Sequence, residues 1–144
     1  MRRKRWLTAA VVTGALVSCQ LGREAGADPV SFTLGQQFTL SGGQEAVSGE
    51  NLRVRFTDVL EDSRCPLRVE CFWTGQARVA VVVQSPENPS TTVEFNTNPA
   101  SGQNKQTVRA DGYTISLKTL EPYPQTPDDP ISFEDYRAEL LVQR

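Results

Sequence analysis

The sequence predicts an all-β fold, a single antiparallel barrel or sandwich of about seven or eight short strands, and two observations lead there. Apolar residues recur with a period of two, as in Leu52, Val54, Phe56 and in Ala77, Val79, Val81, Val83. Clusters of Gly, Pro, Asn and Asp punctuate these runs, and no stretch beyond residue 29 carries an amphipathic helical period of useful length. A chain of 144 residues suits one domain with its own core.

The first 18 residues read as a signal peptide rather than as part of that core. Met1-Arg2-Arg3-Lys4-Arg5 is a positive n-region, and Trp6 to Val17 is apolar but too short for a stable transmembrane helix. Leu16-Val17-Ser18-Cys19 resembles the lipobox of bacterial lipoproteins. That resemblance implies cleavage before Cys19, a diacylglyceryl group on its sulfur, and an acyl chain on the new N-terminus. Two or three chains hold a protein on a membrane where one does so only marginally, at about 0.8 kcal/mol per buried CH₂. The expected address is the cell envelope, and the outer membrane if the cell has two.

Residues 19–29 then form the lipidated Cys and a polar tether, whose flexible span is on the order of 15–18 Å. The all-β domain is expected over residues 30–144. Phe32, Leu34, Phe38 and Leu40 share one parity and predict a strand bent at Gly35-Gln36. Gln44 to Ser48 reads as a short edge strand. In Leu52 to Leu60 the apolar phase slips after Phe56, and in Tyr113 to Leu120 it slips after Leu117. Such a slip is the mark of a β-bulge, and two of them suggest the corners of a curved sheet.

Ala77 to Val83, apolar on one face and at Val82 on the other, predicts a strand with neighbours on both sides. Val93 and Phe95 mark the next strand, and residues 96–105 a solvated loop. Thr107 to Arg109 pairs with Tyr113 onward through Asp111-Gly112, a strong hairpin signal. Four prolines between Glu121 and Ile131 predict an extended surface segment. Ser132-Phe133-Glu134-Asp135 fits a capping box closing one helical turn. Tyr136, Ala138, Leu140 and Val142 alternate as a terminal strand that completes the core.

Cleavage at the lipobox removes four of the 15 basic residues and none of the 17 acidic ones, leaving a net charge of −6. An acidic domain without a basic stripe is not built for nucleic acid. With Cys19 assigned to lipid, Cys65 and Cys71 remain as an even pair in an oxidising compartment, and a structural disulfide is expected. Their spacing is wider than a redox Cys-x-x-Cys. The chain contains no His, which excludes the Ser-His-Asp triad, the Cys-His pair and imidazole metal ligands. Asp58, Glu61, Asp62 and Asp128-Asp129 lack the ligand spacing of a calcium loop and read as solvated or turn-forming. Paired carboxylates in these clusters leave a hydrolase as a third reading, but no catalysis, metal or cofactor is expected.

The segment Glu61 to Gly75 joins the two longest alternating runs and holds both remaining cysteines. Arg64 is expected to pair with Asp62 or Glu61, and Trp73 to pack against the disulfide rather than to serve as a ligand platform. Leu67, Arg68 and Val69 lie inside the covalent ring, where not all can turn inward, and are the candidate partner-binding residues. A rigid exposed loop reduces the ordering cost of binding.

Leu34-Gly35-Gln36-x-Phe38-x-Leu40, Asp62-Ser63-Arg64-Cys65-Pro66, Cys71-x-Trp73-x-Gly75 and Pro122-Tyr123-Pro124 with Glu134-Asp135-Tyr136 are similar to a group of small bacterial secreted proteins and lipoproteins. The group is without an assigned activity, so the resemblance implies a fold and an address. A looser likeness, in size, anchoring and fold class, is to small β-barrel lipoproteins that inhibit secreted metallopeptidases. The expected function is that of a non-enzymatic, lipid-anchored envelope protein acting as a binding or scaffold module. The alternative is an inhibitor of secreted peptidases presenting the Cys65–Cys71 loop. The expected partners are the membrane, through Cys19, and an envelope protein or secreted peptidase.

Overall fold

Period-two alternation gives each strand one apolar face, and two such faces packed together form the core of this molecule. The computed structural model describes residues 28–99 and 106–144. The signal peptide and Cys19 lie outside them, as do residues 100–105 of the expected solvated loop. Among the described residues nine strands form two sheets, which do not close into a barrel; the architecture is a β-sandwich.

One sheet has the order β1-β3-β4-β5-β6: β1 (Val30–Phe32), β3 (Glu45–Ser48), β4 (Arg53–Asp62), β5 (Ala77–Gln84) and β6 (Thr91–Asn96). The other has the order β2-β9-β8-β7: β2 (Gln37–Ser41), β9 (Arg137–Gln143), β8 (Tyr113–Glu121) and β7 (Thr107–Ala110). Phe56, Phe95, Leu40, Leu52, Ile115 and Leu140 are the largest side chains fully buried between them.

The expected bent strand from Phe32 to Leu40 is two strands in different sheets. Gly35, at φ +81°, turns the chain, and its N–H donates to the Val142 carbonyl of β9 at 2.8 Å, so β2 is drawn away from β1. Phe32 and Phe38 meet again across the sandwich, stacked with centroids 4.2 Å apart. This division brings the strand count to nine. It also leaves β1 running parallel to β3, pairing Val30 with Ala46 and Phe32 with Ser48. β3 is therefore flanked on both sides and is not an edge strand.

Both predicted bulges are present. In β4 the register against β5 shifts between Phe56 and Asp58, and again between Val59 and Glu61. In β8 it shifts against β9 between Leu117 and Thr119. Each extra residue swaps the inward-facing parity, which is why Val54 and Phe56 are followed inward by Val59, and Ile115 and Leu117 by Leu120.

β5 has neighbours on both sides, as its apolar faces require. Asp111 and Gly112, at φ +52° and +81°, form the two-residue hairpin between β7 and β8, with Ala110 opposite Tyr113. Phe133–Asp135 forms a single 3₁₀ turn, although Ser132 caps it with no side-chain hydrogen bond, contrary to the capping box. Phe133 instead fixes this turn by packing edge-on against Phe56 at 5.2 Å. β9 completes the second sheet between β2 and β8, with Ala138, Leu140 and Val142 fully buried.

Candidate functional site

The connection between β4 and β5 continues the hairpin past the end of the sandwich. The Ser63 N–H donates to the Gln76 carbonyl at 2.7 Å, and the Cys65 N–H to that of Thr74 at 2.9 Å. Gly75 makes this possible. It has φ +66°, and a Cβ there would be driven into the Ser63 carbonyl, so only glycine lets the two arms approach. Beyond these rungs Cys65 and Cys71 are joined as a disulfide, with Cα atoms 6.0 Å apart.

Proline-rich chain backs one side of the loop. The N–H groups of Leu67 and Arg68 donate to the carbonyls of Pro124 and Gln125 at 2.9 and 3.1 Å, and the Val69 N–H donates to Pro66 at 3.2 Å. Prolines cannot donate in return, so the segment offers a row of carbonyls to the loop. A cleft of ≈ 520 Å³ lies between the two, lined by Arg64, Pro66, Val69, Pro127, Ile131 and Tyr136 among others.

Arg64 locks the base. It is buried, and its guanidinium donates to both Asp62 carboxylate oxygens at 2.8 Å, to the Leu120 carbonyl at 2.6 Å and to the Pro122 carbonyl at 2.8 Å. The Tyr123 ring stacks on it, 4.4 Å from centroid to Cζ. The Tyr136 hydroxyl donates to Asp62 at 2.8 Å. The expected Arg64 pairing is thus made with Asp62, while Glu61 accepts from Ser63 and Gln76 and meets Arg78 at 3.8 Å.

Burial by itself pushes the Asp62 carboxyl up, but the hydrogen bonds from Arg64 and Tyr136 and the Arg64 charge outweigh it and hold the group below its ordinary value. Burial likewise opposes the charge on Arg64, yet Asp62 raises its pKa overall. Burial, reinforced by the hydrogen bond to Asp62, pushes the Tyr136 phenol up to about 12. All three groups are thereby fixed in the charge states that hold the loop, a structural arrangement rather than one poised for proton transfer.

Leu67 is 65% exposed and Val69 40%, and Arg68 is exposed beside them. Trp73 does not pack against the disulfide. It is 77% exposed and its neighbour Phe72 is 103% exposed, because the loop projects past the sandwich and no described residue stands over its outer side. Phe72 went unremarked in the sequence, although adjacent residues in extended chain point to opposite sides and cannot both cover one bridge. Among the described residues the exposed large apolar side chains are Leu60, Leu67, Val69, Phe72, Trp73 and Tyr123, all on this loop, on β4 leading into it, or on the segment backing it. Monomeric domains rarely gather apolar exposure at one end without a use for it.

Among the described residues no group of three His, Cys, Asp or Glu side chains is placed to hold a metal ion, and no helix is long and apolar enough to cross a membrane. Fold and site together define a β-sandwich that carries a disulfide-closed, internally braced loop with an apolar tip. Comparison with protein-family models, with curated proteins and with solved structures finds no match for the chain.

Proposed function

We propose that the protein is a non-enzymatic, lipid-anchored envelope protein whose sandwich presents the Cys65–Cys71 loop as a docking surface, making it a binding or scaffold module. The observation that carries this reading is the exposure of Phe72 and Trp73 on a loop held by the disulfide, by Arg64 and by Pro124 and Gln125. A loop already ordered loses little entropy on binding, and Trp is among the residues that dominate interface energetics. The lipobox-like Leu16-Val17-Ser18-Cys19 supports the anchor.

The peptidase-inhibitor reading draws support from Arg68, which is exposed inside the covalent ring. It is the weaker one, since the Leu67 and Arg68 N–H groups are already bonded to the proline-rich segment and are not free to pair with the extended backbone of a peptidase cleft.

The test is site-specific photocrosslinking in intact cells. A photoreactive phenylalanine analogue at Phe72 is expected to capture an envelope component, protein or lipid. The same analogue at Asn88, in the β5–β6 connection at the opposite end, serves as the control. Equal capture from both positions would overturn the docking reading.

A further inference from the structure

We infer that the tip of this loop docks on a second copy of the chain, tip to tip about a two-fold axis. The inference rests on the proposal that the loop is a docking surface and names its partner. Three observations point to a like copy.

The first is area. Residues 67–74 are exposed without a break, and within them Leu67, Val69, Phe72 and Trp73 offer about 500 Å² of apolar surface. A standard interface takes about 800 Å² from each partner, and homodimer interfaces are about 65% apolar, or about 520 Å². The patch thus has the size and composition that one half of a stable dimer needs, with Phe72 and Trp73 as its aromatic anchors. The contact is one of side chains, since the N–H groups of Leu67, Arg68 and Val69 are bonded within the chain and no added strand can pair with them.

The second is charge. Arg68 and Glu70 stand among these apolar side chains, both exposed, and among the described residues neither has an ion-pair partner. Elsewhere on the surface Arg53 pairs with Glu45, Arg78 with Glu94 and Arg144 with Glu50. In a two-fold interface one patch faces itself, so Arg68 of each copy meets Glu70 of the other and both pairs form at once. The chain from Cys19 onward carries −6, so two copies repel over most of their surface. At the tip the charges cancel, and there two acidic domains approach with least repulsion.

The third is the path of the chain. β4 runs toward the tip, and Val30 lies level with Val54 near the start of β4, at the end of the sandwich opposite the loop. A tether from Cys19 therefore enters away from the tip and leaves it open to a neighbour. Cys19 and Val30 are 11 residues apart, a reach of at most about 36–40 Å. With the two-fold axis normal to the membrane, both tethers of the pair come down to one surface.

The experiment uses the full chain in cells, co-expressed as two copies with different C-terminal tags, one of them carrying the photoreactive phenylalanine analogue at Phe72. Irradiation is expected to give an adduct of twice the chain mass that holds both tags. Arg68→Glu in both copies, or Glu70→Arg in both, sets like charges face to face and is expected to lower the yield by about tenfold or more. Arg68→Glu in one copy with Glu70→Arg in the other restores the attraction and is expected to recover the adduct. Both positions are exposed, and circular dichroism of the variants checks that the strands remain. An adduct that holds a different protein or a lipid in place of the second tag overturns the inference and leaves the docking reading standing. A two-tag adduct indifferent to the replacements overturns it as well, as crowding of anchored copies, and so does failure of the mixed pair to recover the yield. Capture no better at Phe72 than at Asn88 removes the docking reading together with the inference.

Discussion

Arg64 and Asp62, two residues apart, form a buried ion pair in which two guanidinium nitrogens each donate at 2.8 Å to a different carboxylate oxygen. The same guanidinium donates to the carbonyls of Leu120 and Pro122, so one side chain ties the end of β4 to the end of β8 and to the start of the proline-rich segment.

Arg64→Met should therefore cost about 3–5 kcal/mol, since it strands a buried carboxylate and two carbonyls. Adding Asp62→Asn should recover part of that loss by removing the stranded charge. Urea denaturation of the two single variants and the double variant measures the coupling. Strictly additive losses would contradict it.

The network also predicts a pH dependence at both ends. The folded pKa of Asp62 lies below its ordinary 3.8, so its contribution is fully present above about pH 4 and is lost as pH falls through the folded value. The folded pKa of Tyr136, about 12, lies above the ordinary 10.0, so its contribution is present below about pH 10 and is lost as pH rises toward 12. Tyr136→Phe should lower stability at neutral pH by about 1–3 kcal/mol and flatten the alkaline limb. Stability curves for wild type and Tyr136→Phe that stay parallel from pH 9 to 12 would remove Tyr136 from the account.

Serine at both Cys65 and Cys71 should lower stability by about 2 kcal/mol, the expected effect of opening so short a ring. The strand signal in far-ultraviolet circular dichroism should survive, because the sandwich core lies elsewhere. Arg68→Ala, at an exposed position, should change stability by no more than about 0.5 kcal/mol. A large loss there would mean that the side chain braces the loop.

Anchoring is tested at Cys19. Cys19→Ser should move the protein from the detergent phase to the aqueous phase on cloud-point partitioning, because the acyl chains have no other attachment in the proposal. Equal partitioning of variant and wild type would rule Cys19 out.

Legibility in the sequence follows the range of the interaction. The slips after Phe56 and Leu117 announced the bulges, Asp111-Gly112 the hairpin, and the even pair Cys65 and Cys71 the disulfide, because parity, turn chemistry and short ring closure are properties of a few adjacent residues. Arg64 was half legible: its carboxylate partner is two residues away, but its carbonyl acceptors are 56 and 58 residues distant and nothing local names them. The separation of β1 from β2 was invisible, since both keep the same parity and only the bond from Gly35 and the pairing of β2 with β9, the last strand of the chain, send them to different sheets. Trp73 was misread for the same reason. Apolar character states what a side chain costs in water, but whether it is covered depends on which remote segments fold over it, and here the proline-rich segment backs one side of the loop while no described residue covers the other.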